Sequence, residues 1–311
     1  MSNERYWYRA YGQTIQSELE LPELYRADPQ GGPADVRVER AELPALTDEQ
    51  INAGFYHVSP EGVSFEVKDT VRIRAARADL IQVHVLDPSR ESDARLFLTG
   101  SGFGALSYLK GLFPFHAAGV ADQGLACAVC GVSGVGKSTL TMGLMRRGFG
   151  FISDDVVLLE AAPGGAAPRL RPSFPRLKLW QDAVRHYAIA PERTSQIHRE
   201  IEKFHVPLEA DQVIETSDLK AVYELVDADP GTALAIDALG KAEALLTLRA
   251  NMYRLDLIQA LGLEARVFQT LGTIASTVPC FRIRRPKDTN QMDASIDAIA
   301  AHMRDQIKVA R

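Results

Sequence analysis

Leu125-Ala126-Cys127-Ala128-Val129-Cys130-Gly131-Val132-Ser133-Gly134-Val135-Gly136-Lys137-Ser138-Thr139-Leu140 is the stretch on which the fold turns. Leu125–Cys130 is uninterruptedly apolar and reads as a buried strand. Gly131–Ser138 fills every fixed position of G-x-x-x-x-G-K-[ST]. From Lys137 to Arg147 the apolar residues Leu140, Leu144 and Met145 gather on one side, as in a helix. Arg146 and Arg147 suit its negative C-terminal end, and Gly148 supplies a cap. Strand, glycine turn and helix together are what the motif needs physically. Glycines let the backbone wrap until successive N–H groups converge, and the helix aims its positive end at the same point. The implied ligand is a nucleoside triphosphate with Mg²⁺. Gly131, Ser133, Gly134, Val135, Gly136, Lys137, Ser138 and Thr139 form its expected cradle. Lys137 offers a point charge to the β- and γ-phosphates, Ser138 a hydroxyl to the metal, and Thr139 a further phosphate contact.

Just downstream, Phe149-Gly150-Phe151-Ile152-Ser153-Asp154-Asp155-Val156-Val157-Leu158-Leu159 sets two adjacent acids between apolar runs. A carboxylate in such a strand is costly unless a cation or hydrogen bonds compensate it, and a metal at the glycine loop would do so. The strand bearing the acids must return directly after the loop helix, whereas many GTPases and motor ATPases place their magnesium aspartate much further along. The guanine signature Asn-Lys-x-Asp is also missing, since Pro286-Lys287-Asp288 lacks the asparagine. A Ras-like GTPase is therefore disfavoured.

The rest of the chain divides in two. Residues 1–92 open with an aromatic cluster (Tyr6, Trp7, Tyr8, Tyr11) and Ile15, Leu19, Leu21 and Leu24, expected to pack as core. Alternation in Val63–Val67, Val71–Arg74 and Leu80–Leu86 predicts short antiparallel strands, hence a small, mostly β lobe. Asp28–Pro33 is a loop by composition. Residues 93–311 are mixed α and β. A helix is expected over Leu96–Leu112, strands over Ala117–Ala121 and Leu125–Cys130, and a helix near Gln196–Phe204. Further helices are expected over Arg254–Thr273 and Gln291–Ala310, with a strand over Val278–Arg284. Pro163-Gly164-Gly165 and Pro172–Pro175 read as exposed loops. Cys127 and Cys130 have CxxC spacing, yet positions three apart on a strand face opposite sides, so core packing is expected over redox or metal chemistry.

Bulk properties narrow the partners. The 311 residues are 46% hydrophobic and 24% charged, the balance of a globular protein, and the formal net charge is −5. A grip on a nucleic-acid backbone would need a basic surplus, so nucleic acid is not expected. No run approaches the roughly 18 apolar residues that cross a bilayer. The polar start Met1–Tyr6 has no signal-type segment behind it, so no membrane association and a cytoplasmic location are expected.

Phe115-His116-Ala117-Ala118-Gly119-Val120, the glycine loop, and Arg147-Gly148-Phe149-Gly150-Phe151-Ile152-Ser153-Asp154-Asp155 together resemble the catalytic core of HPr serine kinase/phosphorylase, over about forty residues. The resemblance implies an α/β fold: a P-loop kinase core of the HPr kinase/ATP-type phosphoenolpyruvate carboxykinase kind, here following a small β lobe. It also implies Mg-ATP-dependent transfer of the γ-phosphate to a serine-type hydroxyl. Asp154 would be the general base, Asp155 would hold Mg²⁺ with Ser138, His116 would orient the base, and Lys137 would complete the catalytic set. Only Leu248-Arg249-Ala250-Asn251 faintly echoes the family's downstream signature loop. Residues 1–92 do not look like the usual regulatory lobe; Tyr8-Arg9-Ala10-Tyr11-Gly12 and Leu19–Leu24 are similar to divergent relatives that phosphorylate lasso-peptide precursors. A peptide or small-protein acceptor is therefore expected. HPr kinases are oligomers, which makes a homo-oligomer one expectation. Arg282, Arg284, Lys203 and Arg176 are candidates to close the site. A small-metabolite phosphotransferase on the same core and a non-catalytic ATP-sensing module stand as alternatives.

Overall fold

The computed structural model describes residues 5–28, 32–161, 167–173, 176–190, 195–198, 201–208, 212–229, 231–286 and 291–309. The chain is a mixed α/β protein with several sheets, and it divides into two compact units. Unit 1 comprises Met1–Pro114 together with Tyr253–Phe268, and unit 2 comprises Phe115–Met252 and Gln269–Arg311.

Unit 1 is built on eight strands: β1 (Tyr6–Ala10), β2 (Gln13–Ser17), β3 (Tyr25–Arg26), β4 (Val36–Arg40), β5 (His57–Ser59), β6 (Gly62–Val67), β7 (Val71–Arg77) and β8 (Leu80–Val85), with α1 (Asp48–Ala53) before β5. Their order is β3-β1-β2-β4-β8-β7-β6-β5. The hairpins are antiparallel as the alternation suggests, but β4 runs parallel to both β2 and β8. Val71, Ile73 and Ala75 on one face of β7 are buried, with Arg72 and Arg74 between them. Tyr8 and Tyr11 are buried core residues. The Tyr8 hydroxyl accepts from the Leu21 N–H at 2.7 Å, and Tyr11 stacks on Phe103.

The division expected after residue 92 falls instead after Pro114, because the following helices pack on this sheet. The single helix expected over Leu96–Leu112 is α2 (Glu91–Phe97), a π-helical turn at Leu98–Gly102, and α3 (Phe103–Leu109). Pro114 lies inside a short strand, β9 (Phe113–Phe115).

Unit 2 carries β10 (Ala117–Asp122), β11 (Leu125–Cys130), α4 (Lys137–Met145), β12 (Gly150–Ser153), β13 (Val157–Glu160), β14 (Arg169–Pro172), β15 (Arg176–Trp180), α5 (Gln181–His186), β16 (Ser195–His198), β17 (Ile201–Pro207), β18 (Ser217–Ala228), β19 (Ala235–Ala238) and α6 (Lys241–Ala250). Then come α7 (Leu255–Ala260), which belongs to unit 1, α8 (Glu264–Thr277), β20 (Cys280–Pro286) and α9 (Met292–Val309). Gly262, at φ 62°, breaks the helix expected over Arg254–Thr273 into α7 and α8. Three parallel strands, β11, β18 and β20, form the middle of the main sheet. Their carboxyl ends share one edge, the usual place for a ligand in such sheets. Helices α4 and α9 cover one face, where Leu140, Leu144, Ile296 and Met303 are fully buried with Val129 and Tyr223. Each such leucine contributes about 1.5–3 kcal/mol through burial.

The helix expected near Gln196–Phe204 is instead the antiparallel pair β16–β17, in a small sheet of order β15-β17-β16. Phe204 packs there on a cluster with Leu177, Leu179 and Phe151, a reward that local helix propensity does not see. Pro172 and Ser173, expected in an exposed loop, are buried, while Pro163-Gly164-Gly165 lies outside the described residues. Cys127 and Cys130 are buried and free, and desolvation raises both thiols, that of Cys127 to about 12. Among the described residues no helix is long and apolar enough to cross a membrane.

Candidate functional site

Gly131 leaves β11 at φ 137°, and a Cβ there would lie 2.4 Å from the carbonyl oxygen of Leu225 on β18. No side chain fits that approach. Gly136, at φ 100°, is the N-cap of α4, and the crest Val132-Ser133-Gly134 is exposed. Lys137 folds back into its own loop, 7% exposed: its ammonium donates to the carbonyls of Gly131 (2.7 Å) and Val132 (3.2 Å). It also lies 3.2 Å from His116 Nε2. An ammonium only donates, so Nε2 is the acceptor and the remaining ring proton sits on Nδ1. That nitrogen is 3.4 Å from Asp155 Oδ1, and the other oxygen of Asp155 accepts from Lys178 Nζ at 3.1 Å. Lys137, His116, Asp155 and Lys178 thus form one chain of alternating polar groups.

Asp154 and Asp155 occupy the turn after β12. Two buried hydroxyls hold that turn: Ser153 Oγ and Ser173 Oγ both donate to the carbonyl of Val156, at 2.7 and 2.5 Å. Asp154 is only 2% exposed, and its Oδ2 accepts the backbone N–H of Lys178 at 2.8 Å. Burial pushes its carboxyl up to about 6. The Lys178 N–H and the Ser138 hydroxyl pull the other way, while the charge of Asp155 adds to the rise. Ser138 is thus near enough to favour the ionised form, yet Asp154 Oδ1 is buried with no hydrogen-bond partner among the described residues.

The sequence expectation grouped His116 with Asp154 and Ser138 with Asp155. His116 faces Asp155, and Ser138 acts on Asp154. Mg²⁺ takes oxygen ligands and is commonly held by one or two carboxylates, keeping several waters. The Asp154 carboxyl, with its unpartnered Oδ1 and with the Ser138 hydroxyl acting on it, fits such an ion. The carboxylate of Asp155 already serves His116 and Lys178. Among the described residues no three His, Cys, Asp or Glu side chains gather as a metal cluster.

Asn251 was legible only as the end of a faint motif. Its Oδ1 accepts the N–H of Gly131 at 3.0 Å, its carbonyl accepts the N–H of His116 at 2.7 Å, and its Nδ2 donates to Thr247 at 2.9 Å. One residue thereby ties the loop to the histidine. Arg282 and Arg284, expected near the site, are engaged elsewhere: Arg282 pairs with Glu224 and Glu243, and Arg284 with Asp237. The side chains of Arg176 and Lys203 lie outside the described residues. Lys178 had no sequence signal beyond its place in an alternating strand.

Fold and site together define a mixed α/β chain with a glycine-rich strand–loop–helix beside an acidic pair. No protein-family model and no curated protein matches the chain. Among solved structures it is similar to the Hpr(Ser) kinase/phosphatase from Coxiella burnetii, at 12% identity and a TM-score of 0.33, covering 63% of this chain and 96% of that one. Likeness at that level leaves the chemistry to be argued from this chain's own residues.

Proposed function

We propose that unit 2 is a Mg-ATP-dependent kinase that transfers the γ-phosphoryl group to a serine-type hydroxyl of a peptide or small protein. The observation that carries this reading is the buried carboxyl of Asp154, with an unpartnered Oδ1 and with the hydroxyl of Ser138, at the start of the helix that follows the glycine loop, acting on it. The loop amides and Lys137 would grip the polyphosphate, with Lys137 exchanging its loop carbonyls for phosphate oxygens. Asp154 and Ser138 would hold Mg²⁺, which when bound neutralises charge on the phosphates. Asp155, half-exposed and backed by His116 and Lys178, is the better-placed base. Its carboxylate takes the acceptor's proton as the acceptor oxygen bonds to the γ-phosphorus and the bond to the β-phosphate oxygen breaks. The roles of the two acids are thus exchanged relative to the sequence expectation. The peptide acceptor is carried by the sequence resemblance alone.

Labelled ATP and candidate hydroxyl-bearing peptides provide the test. Asp155→Asn should abolish transfer while ADP binding persists, and Asp154→Asn should lose the magnesium dependence of nucleotide binding. Full transfer by Asp155→Asn would remove its role as base. ATP binding with no turnover on any peptide or metabolite would return the ATP-sensing reading.

A further inference from the structure

Among the described residues two buried cations lie beside the glycine loop, and they are unequally satisfied. Lys137 has two loop carbonyls and His116. Arg285, at the carboxyl end of β20, is 8% exposed and has a single long contact, Nη2 to the Val135 carbonyl at 3.4 Å. Its Nη1 is buried without a hydrogen-bond partner, and Arg285 makes no ion pair among the described residues. Its position is close to the loop: a Cβ built on Gly136 would lie 2.4 Å from Nη2. Gly136 is glycine because of its positive φ, and the guanidinium lies close against it. Gly136 also caps α4, a nine-residue helix whose first amides present partial positive charge at the same point.

A guanidinium stays charged in proteins, so burial cannot be relieved by losing the proton. An unpaired buried charge is strongly unfavourable, and here it stands beside a helix N-terminus. Burial lowers its pKa, and the Asp227 carboxylate opposes this by charge attraction without a direct ion pair to Arg285 among the described residues. What the arrangement lacks is an anion with several oxygens.

We infer that Arg285 is a polyphosphate-binding residue, whose fork closes on a phosphate group held at the start of α4 and whose charge that phosphate neutralises. The inference rests on the reading of Gly131–Lys137 as a phosphate cradle. Arg282 and Arg284, the neighbours that the alternation singles out, do not share this role.

Calorimetric titration of the full chain with inorganic pyrophosphate and with ADP tests it, alongside thermal melting without anion. Arg285→Met should bind both ligands at least about tenfold more weakly, the loss expected for a charge-assisted fork. Without anion it should melt no lower than the wild type, because the unpaired charge has been removed. Arg285→Lys keeps the charge but loses the fork and should bind several-fold more weakly; it carries the test if the Met variant does not fold. Unchanged affinity with a lower melting temperature would make Arg285 a strut for the Val135 carbonyl and overturn the inference. Failure of the wild type to take up either ligand would instead strike the cradle reading, and this inference with it.

Discussion

Strands β7 and β20 lie in different units and carry nearly the same sequence: Arg72-Ile73-Arg74-Ala75 in one, Arg282-Ile283-Arg284-Arg285 in the other. In both, the isoleucine is buried and the flanking arginines meet carboxylates. They part at the next inward position. Unit 1 fills it with Ala75, 1% exposed, and completes an apolar face; unit 2 fills it with Arg285, whose Nη1 has no hydrogen-bond partner and which makes no direct ion pair among the described residues. Alternation reports architecture in both strands. The chemistry lies where the alternation is broken and nothing nearby compensates the break.

The comparison can be broken most violently by copying the unit 2 arrangement into unit 1. Ala75→Arg puts a bulky cation into a packed face with no anion site, and it should destabilise the chain by about 3–5 kcal/mol. Urea unfolding would measure this, and pyrophosphate should rescue none of it. If the variant were as stable as wild type, an inward arginine would have to be tolerated generally, and Arg285 would lose its significance.

A second unsatisfied group in unit 2 makes a prediction of the opposite sign. The Asp154 carboxyl is raised from 3.8 to about 6, so its protonated form is the one that suits the folded state. The contribution is fully present below pH 4 and is lost as pH climbs through about 6. At neutral pH without magnesium the ionised group costs on the order of 3 kcal/mol. Asp154→Asn should therefore be more stable than wild type at pH 7, the difference closing toward pH 4, in melting curves recorded with a chelator. A pH-independent difference would show that burial of this charge is not its source.

The smallest of the three effects concerns Asn251. Asn251→Ala leaves the Gly131 N–H without its acceptor, at a cost of about 1–3 kcal/mol. Asn251→Asp keeps the oxygen and should recover part of this. Faster amide exchange at Gly131 in the Ala variant, measured by hydrogen exchange, would separate loss of this bond from general loosening.

What the sequence made legible is the part encoded by neighbours along the chain. Strand β11, the glycine turn, α4 and the returning acids Asp154 and Asp155 are contiguous, and their spacing carries their geometry. Lys178, Asn251 and Arg285 approach from β15, the end of α6 and β20, brought in by pairings such as β11–β18–β20 that no local pattern encodes. Which acid faces His116 was equally illegible, because adjacent residues in a turn diverge, and the hold of Ser153 and Ser173 on Val156 together with the contacts of Lys178 to both acids comes from distant parts of the chain. The helix expected near Gln196–Phe204 failed for the same reason: its residues belong to a hairpin whose stability comes from the cluster around Phe151.

The folded-back Lys137 has one further consequence. By bonding to the carbonyls of Gly131 and Val132, its ammonium holds the loop curved, so on the proposed reading a polyphosphate would meet a mould already set and would spend little on ordering it. A substitution at position 137 therefore removes the mould's internal support along with the charge, and the loss of affinity that it produces is the sum of the two.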